Sequence, residues 1–98
     1  MSAQTEWPFE DPKNTAAFTT VGVIKRHEPV CRVCHDDDGA WQFLPGGAVT
    51  MADAMLVALS EVVGTDQSLL QLADLPLGWI ATRDNPQSEW QRSQQITG

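Results

Sequence analysis

The chain has 98 residues, 42% hydrophobic and 19% charged, with a net charge of −7. That length fits one domain with one modest core, and the composition excludes a disordered chain. Residues 34–82 hold seven carboxylates and no Lys or Arg, a surface that repels phosphate backbones and attracts basic partners, which argues against nucleic acid as a partner.

Residues 1–14 read as a polar N-terminal tail with Pro8, Pro12 and several acids, in which Trp7 and Phe9 are candidate anchors to a core. Residues 17–24 are rich in Phe, Thr, Val and Ile, the composition of a strand. On that reading Phe18, Thr20, Gly22 and Ile24 share one face, and Thr19, Val21 and Val23 the other. Pro29 ends it, and residues 30–35 give a second strand. Asp36, Asp37, Asp38 and Gly39 form a turn signal, since Asp and Gly tolerate the left-handed backbone that tight turns need. Residues 40–44 make a third strand with Trp41 and Phe43 on one face, closed by Pro45, Gly46 and Gly47.

Residues 51–63 admit two readings. Met55, Leu59, Val62 and Val63 fall at helical spacing, but residues 55–59 equally suit a buried strand followed by a helix capped by Ser60. Asp66 or Ser68 caps a further helix carrying Leu69, Leu70, Leu72 and Ala73, which Pro76 ends. Residues 78–82 form a last strand, with Trp79 and Ala81 on one side and Ile80 on the other. Residues 84–98 are polar and Gln-rich and read as a loosely attached tail. The expected architecture is α+β: one domain over residues 15–83, built as a small antiparallel meander of 4 to 5 strands with one or two short helices packed on it.

Cys31, Arg32, Val33, Cys34 and His35 spell C-x-x-C-H, the pattern of haem attachment, and with His27 they offer four eligible zinc ligands. Strand alternation turns Cys31 and Cys34 to opposite faces, which speaks against chelation of one ion and leaves two small apolar residues. The contiguous acids of the 36–38 turn lack the alternation of a calcium loop. No nucleophile elbow, phosphate loop or zinc-protease motif is present in the sequence. No apolar run approaches the roughly 18–20 residues that a bilayer span needs, and the N-terminus lacks the pattern of an export signal. The expectation is therefore a cytoplasmic protein with reduced thiols and no membrane partner.

His35-Asp36-Asp37-Asp38-Gly39-Ala40-Trp41-Gln42-Phe43-Leu44 and Ser68-Leu69-Leu70-Gln71-Leu72-Ala73-Asp74-Leu75-Pro76-Leu77-Gly78-Trp79 resemble two blocks seen in a family of small acidic bacterial proteins of unknown function. That family is similar to immunity-protein-like domains found beside bacterial toxins. The resemblance covers about residues 16–83. It implies an α+β fold, a strand over residues 55–59, and no established catalytic residues. Cys31 and Cys34 stand where the family has apolar or small residues, and Ala40 where an acid is usual.

These readings converge on a non-enzymatic, immunity-like protein-binding module that meets a basic protein partner and needs no cofactor. Its expected partner-binding residues are Asp36, Asp37 and Asp38, which steer, with Trp41 and Trp79 as apolar anchors. Two alternatives stand beside it: a metal or haem protein built on Cys31, Cys34 and His35, and an accessory protein without a ligand. The oligomeric state is left open.

Overall fold

The computed structural model describes residues 7–47 and 49–95. The first strand, β1 (Ala16–Thr20), is shorter than expected, because the chain turns into a five-residue helix, α1 (Val21–Lys25). The β-branched Val21, Val23 and Ile24 suggested a continuing strand. The decisive residue is Thr20, whose hydroxyl accepts from the Val23 N–H at 3.2 Å and caps the helix. At Gly22 the Glu28 carboxylate lies against the bare Cα, so a side chain there would first have to push that flexible carboxylate aside.

Strands β2 (Val30–His35) and β3 (Trp41–Pro45) form the expected antiparallel hairpin, with an irregularity in register between Val30 and Arg32. The strand-then-helix reading of residues 51–63 holds. A 3-10 turn (Met51–Asp53) leads into β4 (Ala54–Ala58) and then helix α2 (Leu59–Val63). The helix cap is Ala58, not Ser60, so no side chain caps it. Asp66 caps the next segment, which is a 3-10 helix (Gln67–Leu72). Strand β5 (Trp79–Thr82) follows as expected, and β6 (Gln91–Gln94) pairs with it. The expectation of a loose C-terminal tail is thus corrected for residues 91–94, and residues 96–98 lie outside the described residues, as do residues 1–6 of the N-terminal tail.

The fold is α+β, and its six-stranded sheet is mostly antiparallel, in the order β4-β1-β3-β2-β5-β6. Meander order fails at β1, which pairs parallel with β3 and antiparallel with β4. Helix α1 causes this: it carries the chain away from the edge of β1, so β2 enters beyond β3 rather than beside β1.

Paired residues share a face. Ala17, Thr19, Val33, Trp41, Phe43 and Ala81 form one face and are buried. Over it pack Val23 of α1, Leu59, Val62 and Val63 of α2, Leu69 and Leu72 of the 3-10 helix, Leu75, and Phe9 of the N-terminal segment. The buried Thr19 hydroxyl donates to the Phe43 carbonyl at 2.8 Å. The other face carries Phe18, Leu56, Gln42 and Ile80 in one cross-sheet row, with Phe18 and Leu56 well exposed.

Candidate functional site

The β2–β3 turn shapes one end of the sheet. The Asp36 N–H donates to the Ala40 carbonyl at 2.8 Å and the Gly39 N–H to the Asp36 carbonyl at 2.9 Å. Gly39 takes the positive φ of 94° that closes the turn. The three acids have separate tasks. Asp36 accepts from Gln42 Nε2 at 2.8 Å, and Asp38 accepts from the Ala40 N–H at 3.0 Å. Asp37 abuts Gly78, whose φ of +80° favours glycine and whose bare Cα lets the Asp37 carboxylate come close. The Gly78 N–H donates to the His35 carbonyl at 2.6 Å, tying the acidic turn to the loop before β5.

His35 and Trp41 are register partners, and their rings stack with centroids 3.8 Å apart and 11° between planes. His35 Nδ1–H donates to the Leu75 carbonyl at 2.7 Å, fixing the half-buried ring. A cleft of about 400 Å³ opens here, lined by His35, Trp41, Glu10, Asp11, Asp74 and Leu77 among others. Glu10 and Asp11 arrive because Phe9 is buried against Trp41, at 5.2 Å and edge-on, and Trp7 Nε1 donates to the Asp11 carbonyl at 2.7 Å. Trp7 and Phe9 are therefore anchors, as expected. Among the described residues, no Lys or Arg and no Ser, Thr or Cys lines the cleft. Asp74 is already paired with Arg92 at 2.9 Å, which leaves Glu10 and Asp11 as the cleft's unpaired carboxylates among the described residues. Leu77 is 54% exposed at the rim. Carboxylates around a fixed aromatic pair and an exposed Leu suit a cationic side chain with an apolar stem.

The five residues expected to meet a partner thus divide. Asp36, Asp37 and Asp38 share the turn at this end of the sheet, but they divide: the Asp36 carboxylate turns to Gln42 on the face away from the cleft, Asp38 holds its own turn, and Asp37 lies against Gly78, next to the cleft residue Leu77. Trp41 is 1% exposed and belongs to the core, so its role as a surface anchor is corrected. Its size and its place opposite His35 drive it inward, although Nε1 finds no hydrogen-bond partner. Trp79 is half-buried against the core, also opposite His35.

No protein family, curated protein or solved structure matches the chain. Cys31 and Cys34 are both buried free thiols. Cys31 falls at the β2 irregularity, and His35 is committed to Leu75 and Trp41. Among the described residues, no three of His, Cys, Asp and Glu gather to hold a metal ion. No helix there is long and apolar enough to cross a membrane.

Arg83 escaped the sequence reading. It is buried and binds three acceptors on two elements: Nε to the Val30 carbonyl of β2 at 3.0 Å, and Nη1 to Ser68 Oγ at 3.0 Å and Nη2 to Asp66 Oδ2 at 2.7 Å on the capped 3-10 helix. Its guanidinium also lies 4.2 Å from the Trp90 ring centroid, which seats the segment before β6. The only sequence signal was a lone cation directly after a strand, facing a D-x-S cap on another element.

Burial pushes the Asp66 carboxyl up, but hydrogen bonds from the Ser68 side chain, Arg83 and the Ser68 backbone, with the Arg83 charge, outweigh it and hold it below the ordinary 3.8. A carboxyl depressed by folding stabilises the native state above its ordinary pKa, and that contribution is lost as pH falls through the lower native value. The stability difference between the native protein and Asp66→Asn should be constant near neutral pH and shrink below 3.8. Urea unfolding along an acid titration checks this.

Proposed function

We propose that this protein is a non-enzymatic binding module, immunity-like and cytoplasmic, whose acidic end receives a basic side chain of a protein partner. The observation that carries the reading is the cleft lined by Glu10, Asp11 and Asp74 and, among the described residues, by no Lys or Arg, with Asp74 shared with Arg92, the Asp37 turn nearby and exposed Leu77 at its rim. Glu10 and Asp11 hold an Arg or Lys head, Asp74 adds its charge while shared with Arg92, and Leu77 covers the stem. The absence of a hydroxyl or thiol nucleophile from the described lining supports binding over catalysis. The resemblance to immunity-like domains points the same way.

The test separates this site from bulk charge. An arginine-rich peptide is titrated by calorimetry at low and moderate salt into the native protein and two variants of equal charge. One variant is Glu10→Gln/Asp11→Asn/Asp74→Asn, and the other is Asp53→Asn/Glu61→Gln/Asp84→Asn. The first should lose about tenfold or more in affinity and most of its salt dependence. The second should bind nearly as the native protein does. Equal losses in both would refute the site.

A further inference from the structure

Strand β4 is the outer edge of the sheet, and its backbone leaves a pattern of free groups that is complementary to itself. The Leu59 N–H donates to the Thr15 carbonyl at 2.7 Å. That pair continues the register of Val57 with Ala17 and Met55 with Thr19. Antiparallel alternation then turns the backbone groups of Met55 and Val57 towards β1, and those of Ala54, Leu56 and Ala58 outwards. Two of the outward groups are already used: the Ala54 N–H donates to the Met51 carbonyl, and the Ala58 carbonyl begins α2 as its cap. Among the described residues this leaves the N–H and C=O of Leu56, the N–H of Ala58 and the C=O of Ala54.

We propose that β4 pairs with β4 of a second copy of this chain, antiparallel about a two-fold axis at Leu56. Each Leu56 N–H then donates to the Leu56 carbonyl of the other copy, and each Ala58 N–H donates to the Ala54 carbonyl opposite. All the free groups are consumed and none is left over, a match that an isologous interface requires.

The side chains agree with the backbone. On the open face Leu56, 60% exposed, meets its own copy, and Phe18, 47% exposed, flanks it on each side, extending one apolar row across the seam. On the other face Met55 of one copy stands opposite Val57 of the other, in the closer type of cross-strand pair. Charge also selects this edge. The chain carries −7, yet β1 and β4 contain no charged residue, so two like-charged copies meet along a neutral strip. Strand β4 lacks the Lys or Pro that commonly guards an edge. The opposite edge, β6, is polar throughout, and its Arg92 is paired with Asp74.

Sedimentation velocity from micromolar to millimolar protein tests the proposal on the full chain, on Leu56→Lys and on Leu56→Pro. The native chain should move from a 10.8 kDa species to one of twice that mass. Leu56→Lys sets two ammonium groups side by side at the axis and should raise the dissociation constant by at least about tenfold. Leu56→Pro removes only an outward N–H, which an edge strand tolerates, and should likewise raise the dissociation constant by at least about tenfold. Circular dichroism confirms that both variants fold, and in the native chain the Leu56 and Ala58 amides should gain exchange protection with concentration. A native chain that stays monomeric at millimolar concentration would overturn the proposal and leave the edge to a strand of another protein. A dimer unaffected by either substitution would overturn it too, by placing the contact elsewhere.

Discussion

Replacing Arg83 with Met should destabilise the protein by about 3–5 kcal/mol, as expected when one member of a buried ion-pair network is removed. The variant keeps side-chain volume but takes the guanidinium donors from the Val30 carbonyl, Ser68 Oγ and Asp66 Oδ2, leaving the Asp66 carboxylate only its bonds from Ser68. Against the roughly 5–15 kcal/mol that holds a domain together, this is a large part of the total. A domain this size should lose about 15 °C or more in melting temperature. Arg83→Lys should recover little, because an ammonium cannot reach three acceptors in the fixed geometry of a guanidinium. Strand β6 should loosen first, since Trp90 rests on Arg83. Exchange of the amides in residues 91–94 would report it. A loss below about 1 kcal/mol would reduce Arg83 to an ordinary surface pair.

Trp41→Ala should cost about 3–5 kcal/mol, the range for removing a large aromatic from a packed core. Trp41 touches Phe9 edge-on, and it stacks on Phe43 at 5.8 Å as well as on His35. Its removal frees Phe9 and with it the segment that brings Glu10 and Asp11 to the cleft. Trp41→Phe should cost much less, because the lost Nε1–H has no hydrogen-bond partner to give up. Chemical denaturation of both variants separates the two effects. A mild Trp41→Ala would return this residue to the surface role expected from its type alone.

The β2–β3 hairpin was legible because two local signals agree: strand-forming residues through 30–35 and 41–44, with Trp41 and Phe43 on one face, and an Asp-rich turn closed by Gly39. Residues 54–63 were half legible, since Met, Leu and Ala serve helix and strand alike and only pairing with β1 decides. Helix α1 was missed because Val21, Val23 and Ile24 outweighed one capping hydroxyl on Thr20. Strand β6 could not be read at all: Gln91, Arg92, Ser93 and Gln94 are all exposed, so no apolar periodicity marks them. The site was legible in part. The acids of the turn stood out as a run, but Glu10 and Asp11 reach the cleft only through the docking of Phe9, and Asp74 only through the chain's return after the 3-10 helix. Such contacts join residues far apart in sequence, and no local pattern encodes them.

The central claim, that basic side chains are received at the acidic end of the sheet, is tested most directly by following backbone amide resonances while an arginine-rich peptide is added. The account expects shifts concentrated at Glu10, Asp11, His35, Asp37, Asp74, Leu77 and Gly78, and fading as salt rises. Shifts spread equally over Asp53, Glu61 and Asp84, or no shifts at all, would contradict it.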